Sequence, residues 1–296
     1  HLGLSGGSHG AMTGAMLAGI EEALTRVKPA MVIVLGDTNS TLAGALAAAK
    51  LHIPVAHVEA GLRSFDMKMP EEVNRRLTDH VSSLLFCPTK LAAFNLAREG
   101  VRDGVFVVGD VMTDVLRKMT RSARAALAKM DVPKDYYFAT VHRQENTDDR
   151  SRLRSILDGL GSLPHPVVLP LHPRTRARLK AFKLAVPSNV TTLDPVSYTG
   201  SLGLIIGSRA VLTDSGGLQK EAFLLSRPCI TLRDTTEWME TLSVGADRLV
   251  GTDARTILLA ARAIDRKPPK VRPGVIYGDG RTAERITRLI EAHLAR

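Results

Sequence analysis

Aromatic residues are scarce in this sequence, making up 4% of its 296 residues. Proteins that bind single-stranded nucleic acid stack bases on exposed aromatic side chains, so this composition argues against that function. No zinc-finger, KH or RNP motif is present. The formal net charge of +10 arises from scattered lysines and arginines, many in predicted helices, which we interpret as solvated helix faces. No nucleic-acid partner is therefore expected.

Cysteines and long apolar segments are also rare. The two cysteines, Cys87 and Cys229, each lie in a short apolar run, which predicts buried free thiols and a reducing compartment. No apolar run is long enough to span a bilayer, so no membrane partner is expected. Residues 1–10 lack the basic region and apolar core of a signal peptide. Together these features predict a cytoplasmic protein.

Short apolar runs alternate with amphipathic stretches along the chain. Because the runs are apolar on both faces, they predict parallel strands in sheets that helices cover on both sides. The expected strands are 31–35, 54–58, 84–87, 105–108, 136–141, 166–171, 189–193, 210–213 and 228–232. The expected helices are 42–50, 71–83, 90–99, 152–160, 174–183, 197–206 and 218–225.

Two sheets in series predict an α/β protein with two Rossmann-like domains. The expected N-terminal domain is 1–115, the C-terminal domain is 116–280, and a last helix, 281–296, packs back on the first domain. A doubly wound domain normally opens on a central strand. This chain opens on a Gly/Ser-rich loop and a helix, and its first strand begins only at Met31. We therefore expect the first domain to lack an opening strand and helix.

Polar residues follow five of the predicted strands, at the edge where open α/β sheets bind ligands. These segments begin at Gly36, Glu59, His142, His172 and Asp214. Helix capping accounts for Asp37, Thr38 or Ser40 taken alone. It does not account for Glu59, which follows a strand and precedes Ala-Gly.

Other polar residues also have structural explanations. His142 alone is typical of a structural histidine. Glu71 and Glu72 follow Pro70 at the start of a helix, where carboxylates complement the helix dipole. That explanation suits Glu72 better than Glu71.

The segment from Asp214 to Glu221 carries the sharpest signal. Gly216 and Gly217 allow a close backbone approach and dihedral angles that other residues resist. Free amides at the helix start attract a phosphate, Ser215 adds a hydroxyl donor, and Glu221 is suitably placed for a ribose hydroxyl. The structural alternative is an ordinary turn capped by Asp214. Neither a Walker ending nor Gly-x-Gly-x-x-Gly is present, which argues against a nicotinamide or flavin cofactor.

Six motifs in order resemble those of the non-hydrolysing UDP-N-acetylglucosamine 2-epimerases. They are Gly36-Asp37-Thr38, the segment 57–63, the segment 70–75, the segment 142–146, the segment 213–222 and the segment 233–237. The resemblance covers nearly the whole chain. It implies the glycosyltransferase-B fold, in which the active site lies in the cleft between two Rossmann-like domains.

The resemblance also implies an isomerase that interconverts UDP-N-acetylglucosamine and UDP-N-acetylmannosamine. In the family mechanism UDP leaves by anti elimination to give 2-acetamidoglucal. UDP then adds back, and a proton reaches the opposite face of C2. The product would supply N-acetylmannosamine units for cell-surface polysaccharide. The implied partners are a UDP-sugar and a second copy in a homodimer, and no cofactor or metal ion is needed.

Site residues carry over from the same motifs. The implied catalytic residues are Asp37, Glu59 and Glu71, as acid/base carboxylates, and His142, which contacts the diphosphate. The implied UDP-binding residues are Arg75, Arg143, His172, Ser215, Gly216, Gly217 and Glu221. The carboxylate that removes the proton and the one that returns it are not distinguished.

Three departures from the family pattern stand out. Members begin with a strand that ends in a Gly-Thr-Arg-Pro-Glu-like loop, whose Arg contacts the diphosphate. This loop is absent, together with roughly the first sixty residues of such a domain. Trp238 replaces an Arg that holds UDP in many members, and the Gln and aromatic residue often present near the uracil are not evident around 196–201.

Two alternatives follow. One is a glycosyltransferase of the same fold, against which the pair Glu59 and Glu71 argues. The other is an inactive, truncated nucleotide-sugar-binding protein.

Overall fold

Two parallel sheets organise the chain, in the computed structural model that describes residues 2–4 and 6–295. The chain divides into two units: the first comprises the residues up to Asp114 and those from Ile276 onward, and the second is Val115–Val275. The alternation of apolar runs and amphipathic stretches predicts this α/β architecture, and the prediction is confirmed.

The first unit contains a four-stranded sheet in the order β1-β2-β3-β4. Its strands are β1 (Val32–Leu35), β2 (Val55–Val58), β3 (Leu84–Cys87) and β4 (Val105–Val107). Its helices are α1 (His9–Val27), α2 (Asn39–Lys50), α3 (Pro70–Val81), α4 (Lys90–Arg98) and α13 (Thr282–Leu294). Helix α5 (Val111–Leu127) begins in this unit and continues into the second.

The second unit contains a six-stranded sheet in the order β10-β9-β8-β5-β6-β7. Its strands are β5 (Tyr137–Thr140), β6 (Val167–Pro170), β7 (Val190–Leu193), β8 (Val211–Thr213), β9 (Cys229–Thr231) and β10 (Asp247–Leu249). Its helices are α6 (Gln144–Thr147), α7 (Arg150–Gly161), α8 (Pro173–Phe182), α9 (Tyr198–Gly207), α10 (Gly216–Leu224), α11 (Met239–Ser243) and α12 (Ala254–Arg266), followed by the short 3-10 helix Pro273–Val275.

Helix α12 was not expected from the sequence, although its signal is there. Ile257, Ala260, Ala261 and Ile264 are buried at helical spacing. Asp253 caps the helix, because its carboxylate accepts a hydrogen bond from the Thr256 amide at 2.8 Å. The short elements α11 and β10 were also missed; β10 has three residues, of which only the first is buried.

The outer strands contradict the expectation that every strand is apolar and buried on both faces. In β1, Val34 is buried, but Ile33 is 50% exposed and Leu35 is 59% exposed. In β7, Thr191 and Thr192 are exposed. These strands lie at the sheet edges, where neighbouring elements cover less of each face.

Helix α13 packs on the first sheet. Ile286 lies in a core cluster with Val58 of β2 and Phe86 of β3. Asp114 supplies the helix cap from a distant part of the chain, because its carboxylate accepts hydrogen bonds from the amides of Thr282 at 3.0 Å and Ala283 at 2.8 Å. The packing of Ile286 and the Asp114 cap together hold α13 in the first unit.

Both cysteines are buried and free, as predicted. Burial raises the pKa of the Cys87 thiol to about 12. Within residues 2–4 and 6–295, no helix has the length and apolar character needed to cross a bilayer.

Candidate functional site

The second sheet has a topological switch point between β5 and β8. From β5 the chain runs outward through β6 and β7, and then returns to β8 on the other side of β5. Loops that follow such neighbouring strands diverge and leave a crevice at the carboxyl edge of the sheet, where doubly wound folds bind ligands. Here the loop after β5 begins at Val141, and the loop after β8 begins at Asp214.

Asp214 ties these two loops together. Its buried carboxylate accepts hydrogen bonds from the amides of His142 and Arg143 at 3.0 Å each, and from Asn146 Nδ2 at 3.2 Å. The alternative that Asp214 caps the next helix is wrong, because Ser215 is the N-cap of α10. Asp214 therefore fixes the shape of the crevice.

The start of α10 faces this crevice as a potential anion site. Ser215 Oγ accepts a hydrogen bond from the Leu218 amide at 3.4 Å. The amides of Gly216 and Gly217 belong to the first turn, whose N–H groups have no partner inside the helix. Such a turn attracts phosphate groups.

The reason expected for the glycines needs correction. Neither Gly216 nor Gly217 has a positive φ, and both lie in the helix. Gly216 is favoured by close packing instead, since a Cβ there would lie 2.2 Å from Glu237 Oε1, and the Glu237 carboxylate would have to shift. Arg233 compensates the charge of that carboxylate, with Nη1 3.0 Å from Glu237 Oε2.

Two histidines adjoin the same turn. The rings of His142 and His172 lie 5.7 Å apart between centroids. Burial lowers the pKa of His142 below its usual value of 6.5, although Asp214 opposes this, and the positive groups of Arg143 and Arg174 lower it further. This shift favours the neutral form of the His142 ring.

His172 has a structural role that the sequence analysis did not assign to it. It is the N-cap of α8, because its Nδ1 accepts a hydrogen bond from the Arg174 amide at 3.2 Å. Its ring is fixed by this bond while Nε2 remains available.

A cavity of about 190 Å³ lies at this edge of the second sheet. His142 and His172 form part of its wall, and Val196, Ser201 and Leu218 form another part. Within the segment 196–201, Val196 and Ser201 line the cavity. The segment contains no Gln, but the expectation that it has no aromatic residue is wrong, because Tyr198 lies in it.

Glu221 is buried on α10, and its side chain is hydrogen-bonded to Tyr198 at the start of α9. Burial raises the pKa of Glu221 to about 7, against the lowering effects of Tyr198 and Lys220. The carboxylate is thus close to half ionised at neutral pH. The contact with Tyr198 was missed, because it joins two helices that are distant in the sequence.

The raised pKa of Glu221 predicts a pH-dependent effect on the free energy of unfolding. A carboxyl group whose folded pKa lies above its unfolded pKa favours the folded state at low pH, and this contribution is lost as the pH rises through the folded value. Glu221→Gln should therefore raise the free energy of unfolding at pH 8 by about 3 kcal/mol, and much less at pH 5. Urea denaturation at both pH values checks this. Glu22→Gln, an exposed change on α1, is the control, and an equal gain at both pH values would contradict the prediction.

In the first unit, Asp37 and Arg75 form an ion pair. Asp37 Oδ2 lies 2.9 Å from both Arg75 Nε and Arg75 Nη2. Asp37 does not cap α2, whose N-cap is Thr38. Asn74 Nδ2 donates to the Asp37 carbonyl at 2.9 Å, so α3 holds both the backbone and the carboxylate of Asp37. Arg75 lies with the first-unit carboxylates.

Glu59 follows β2 in a strained backbone conformation. Its φ of 77° lies in the left-handed region, which costs a non-glycine residue about 1–3 kcal/mol. Its Oε2 is 3.8 Å from the point where a Cβ on Gly36 would lie, so Glu59 is next to the Asp37 loop. Strain of this kind accumulates at functional sites.

Glu71 and Glu72 both lie in the first turn of α3, as predicted. Glu72 does more than complement the dipole: its buried Oε2 accepts hydrogen bonds from the Ser64 amide at 2.8 Å and from Arg75 Nη1 at 2.9 Å. Burial opposes ionisation, yet the bonds from Ser64 and the charge of Arg75 hold the pKa of Glu72 below its usual value. Glu71 is half-buried beside it.

The predicted site residues thus form two groups. Asp37, Glu59, Glu71 and Arg75 lie at the ends of β1 and β2 and the start of α3 in the first unit. The others lie around the switch point of the second unit: His142, Arg143, His172, Ser215, Gly216, Gly217 and Glu221. The supporting roles of Glu72 and Tyr198 were not predicted from the sequence. Of these, only Glu72 had a signal in the sequence. It lies three and four residues before Arg75 and Arg76, a spacing that favours ion pairs on one helix.

Comparison with known proteins gives matches over nearly the whole chain. The family model described as UDP-N-acetylglucosamine 2-epimerase matches residues 1–291. The UDP-2,3-diacetamido-2,3-dideoxy-D-glucuronate 2-epimerase of Pseudomonas aeruginosa is 48% identical, over 98% of this chain and 82% of that protein.

Methanocaldococcus jannaschii supplies both a sequence match and a structural match. Its UDP-N-acetylglucosamine 2-epimerase is 43% identical, over 98% of this chain and 83% of that protein. The crystal structure of the M. jannaschii UDP-GlcNAc 2-epimerase in complex with UDP-GlcNAc and UDP aligns with a TM-score of 0.88 at 44% identity, over 97% of this chain and 83% of that one.

Proposed function

The chain belongs to the UDP-N-acetylglucosamine 2-epimerase family, and we propose that it interconverts UDP-N-acetylglucosamine and UDP-N-acetylmannosamine. The observation that carries this proposal is the pairing of two features in one chain. One is a phosphate-type helix start at the switch point of the second sheet. The other is a set of carboxylates at the strand ends of the first sheet.

The second-unit residues suit the nucleotide. The first-turn amides of α10 and the Ser215 hydroxyl would donate to the diphosphate. His142 and Arg143 adjoin this turn through Asp214 and would add further donors. Glu221 would accept hydrogen bonds from the ribose hydroxyls. The uracil would enter the cavity lined by Val196 and Ser201.

The first-unit carboxylates suit the sugar chemistry. Asp37, Glu59 and Glu71 would serve the two faces of C2, because epimerisation removes a proton from one face and returns one to the other. Arg75 would hold the Asp37 carboxylate in place through their 2.9 Å contact. Glu72 would in turn hold Arg75 in place.

The proposed reaction has two balanced halves. A carboxylate takes the C2 proton, the C1–O bond breaks on the opposite side, and UDP leaves with the bonding electrons to give 2-acetamidoglucal. In the return step, UDP oxygen attacks C1 and a carboxylic acid gives a proton to the other face of C2. The UDP donors stabilise the leaving diphosphate. The product would supply N-acetylmannosamine units for cell-surface polysaccharide.

A specific observation favours a second candidate substrate. The relative from Pseudomonas aeruginosa, at 48% identity, is named for UDP-2,3-diacetamido-2,3-dideoxy-D-glucuronate. Trp238 also departs from the Arg found in many UDP-N-acetylglucosamine epimerases. The same elimination at C1 and C2 applies to this sugar, since its 2-acetamido group is retained.

The test is an assay with both UDP sugars in D2O, followed by NMR. Epimerisation of UDP-N-acetylglucosamine with deuterium at C2 is the expected result. Turnover of the diacetamido sugar alone would show that this sugar is the substrate, and the proposed class of reaction would stand. Product without deuterium at C2 would exclude the elimination mechanism, and transfer of the sugar to an acceptor would favour the glycosyltransferase alternative. UDP binding without turnover would favour the inactive alternative.

A further inference from the structure

His57 of β2 is fully buried between two hydrogen-bond acceptors. Its Nδ1 lies 2.7 Å from Asp79 Oδ1, and its Nε2 lies 2.9 Å from the carbonyl oxygen of Gly36. A backbone carbonyl can only accept a hydrogen bond, so Nε2 carries a hydrogen. An ionised Asp79 also only accepts, so Nδ1 carries a hydrogen as well. An imidazolium ring, with a hydrogen on each nitrogen, satisfies both contacts at once.

Asp79 also bonds to residues other than His57. Its second oxygen, Oδ2, accepts hydrogen bonds from Arg63 Nη1 at 2.7 Å and from the Gly61 amide at 3.2 Å. Arg63 in turn pairs with both oxygens of Glu99. His57 and Arg63 thus supply two positive charges, and Asp79 and Glu99 supply two negative charges. Buried charges persist when they are paired and hydrogen-bonded in this way.

This cluster connects the two loops that carry Asp37 and Glu59. On one side His57 holds the Gly36 carbonyl, directly before Asp37. On the other side its partner Asp79 holds the Gly61 amide, two residues after Glu59. Gly36 and Gly61 have φ values of 66° and 79°, so both loops leave their strands through left-handed turns that glycine adopts readily.

We propose that His57, as an imidazolium, is a positioning residue that sets the relative placement of the Asp37 and Glu59 carboxylates. The role rests on the proposed function, in which these carboxylates act on C2 of the sugar. His57 itself is fully buried and acts through the Gly36 carbonyl and Asp79. Its loss should therefore lower the rate of proton transfer and leave UDP affinity unchanged.

Two substitutions separate the two contacts of His57. Asparagine places its amide nitrogen near the position of Nδ1, so His57→Asn keeps the bond to Asp79 and loses the bond to Gly36. Glutamine places its amide nitrogen near the position of Nε2, so His57→Gln keeps the bond to Gly36. We expect kcat to fall about 10²-fold in His57→Asn, because a misplacement of about 1 Å has an effect of this size. In His57→Gln the loss should be about tenfold smaller, since its retained bond holds Gly36 in place.

The controls address folding and the nucleotide site. His52→Asn makes the same change at an exposed histidine whose φ of 58° suits asparagine, and it should leave kcat unchanged. UDP affinity should stay constant in all variants, because the proposed UDP residues lie in the second unit. In the NMR spectrum of 15N-labelled wild-type protein, the ring signals of His57 are identified by their absence from the spectrum of His57→Asn. These signals should show that both ring nitrogens are protonated.

Each outcome separates the two proposals. A wild-type protein that epimerises neither UDP sugar overturns the proposed function, and the positioning role with it. An active wild type whose two variants keep kcat within threefold overturns the positioning role alone. The same holds if kcat falls only in proportion to the folded fraction, or if the His57 signals show a single ring N–H.

Discussion

Glu59→Gln is expected to lower kcat about 10²- to 10⁴-fold, the range that general acid–base catalysis contributes. Glutamine keeps the shape of the side chain but cannot take up or release the proton at C2. The strained backbone at Glu59 and its closeness to Gly36 indicate that the chain holds this carboxylate at a defined position. Steady-state kinetics with a UDP sugar, together with the rate of deuterium entry at C2, measures the effect.

The control for this prediction is Glu21→Gln, an exposed change of the same kind on α1, which should leave kcat unchanged. UDP affinity of the Glu59 variant should remain within about threefold of the wild type, because its interactions with the sugar act on the transition state. A kcat within tenfold of the wild type would remove Glu59 from the acid/base groups and leave that role to Asp37 and Glu71.

Arg63→Met is expected to lower the free energy of unfolding by about 3–5 kcal/mol, the cost of breaking a buried ion pair by removing one partner. The Arg63 side chain is fully buried and bonds to Asp79 and Glu99. Methionine retains much of the apolar volume but leaves the buried Asp79 carboxylate with one charged partner fewer. Urea denaturation followed by circular dichroism measures the loss.

Arg76→Met is the matched control. Arg76 belongs to the same charge network, with Nε 3.3 Å from Glu72 Oε1, but its side chain is 35% exposed. Solvent screening limits such a pair to about 1 kcal/mol or less. Equal losses in the two variants would show that burial of the Asp79–Arg63 pair is not what stabilises the first unit.

Much of the site could be predicted because the relevant residues follow strands. Parallel strands bring their carboxyl ends to one edge, so polar residues at those positions identify the edge from local pattern alone. Asp37, Glu59, His142 and Ser215 were found in this way. Their partners were harder to predict, because Asp214 bonds to amides about seventy positions earlier in the chain.

One prediction and one structural alternative failed because each considered local features without their neighbours. Gly216 looked like a residue with unusual dihedral angles, whereas the packing of Glu237 against it is the reason for glycine. The alternative for Asp214 was a helix cap. Its carboxylate instead accepts a hydrogen bond from an amide of the loop after β5, and Ser215 caps the helix. In both cases the deciding atom comes from a segment that no local pattern connects to the turn.

The sequence by itself determined the α/β class, the two parallel sheets, the family and the strand ends that carry the polar residues, because these depend on periodicity and on motifs a few residues long. Only the tertiary structure decided the strand order, with its switch point between β5 and β8, and the charge network around His57 and Asp79. Strand order depends on which crossover buries the most apolar surface. A buried charge is stable only where distant segments supply its partners. Strand order and charge pairing are therefore both properties of the assembled fold.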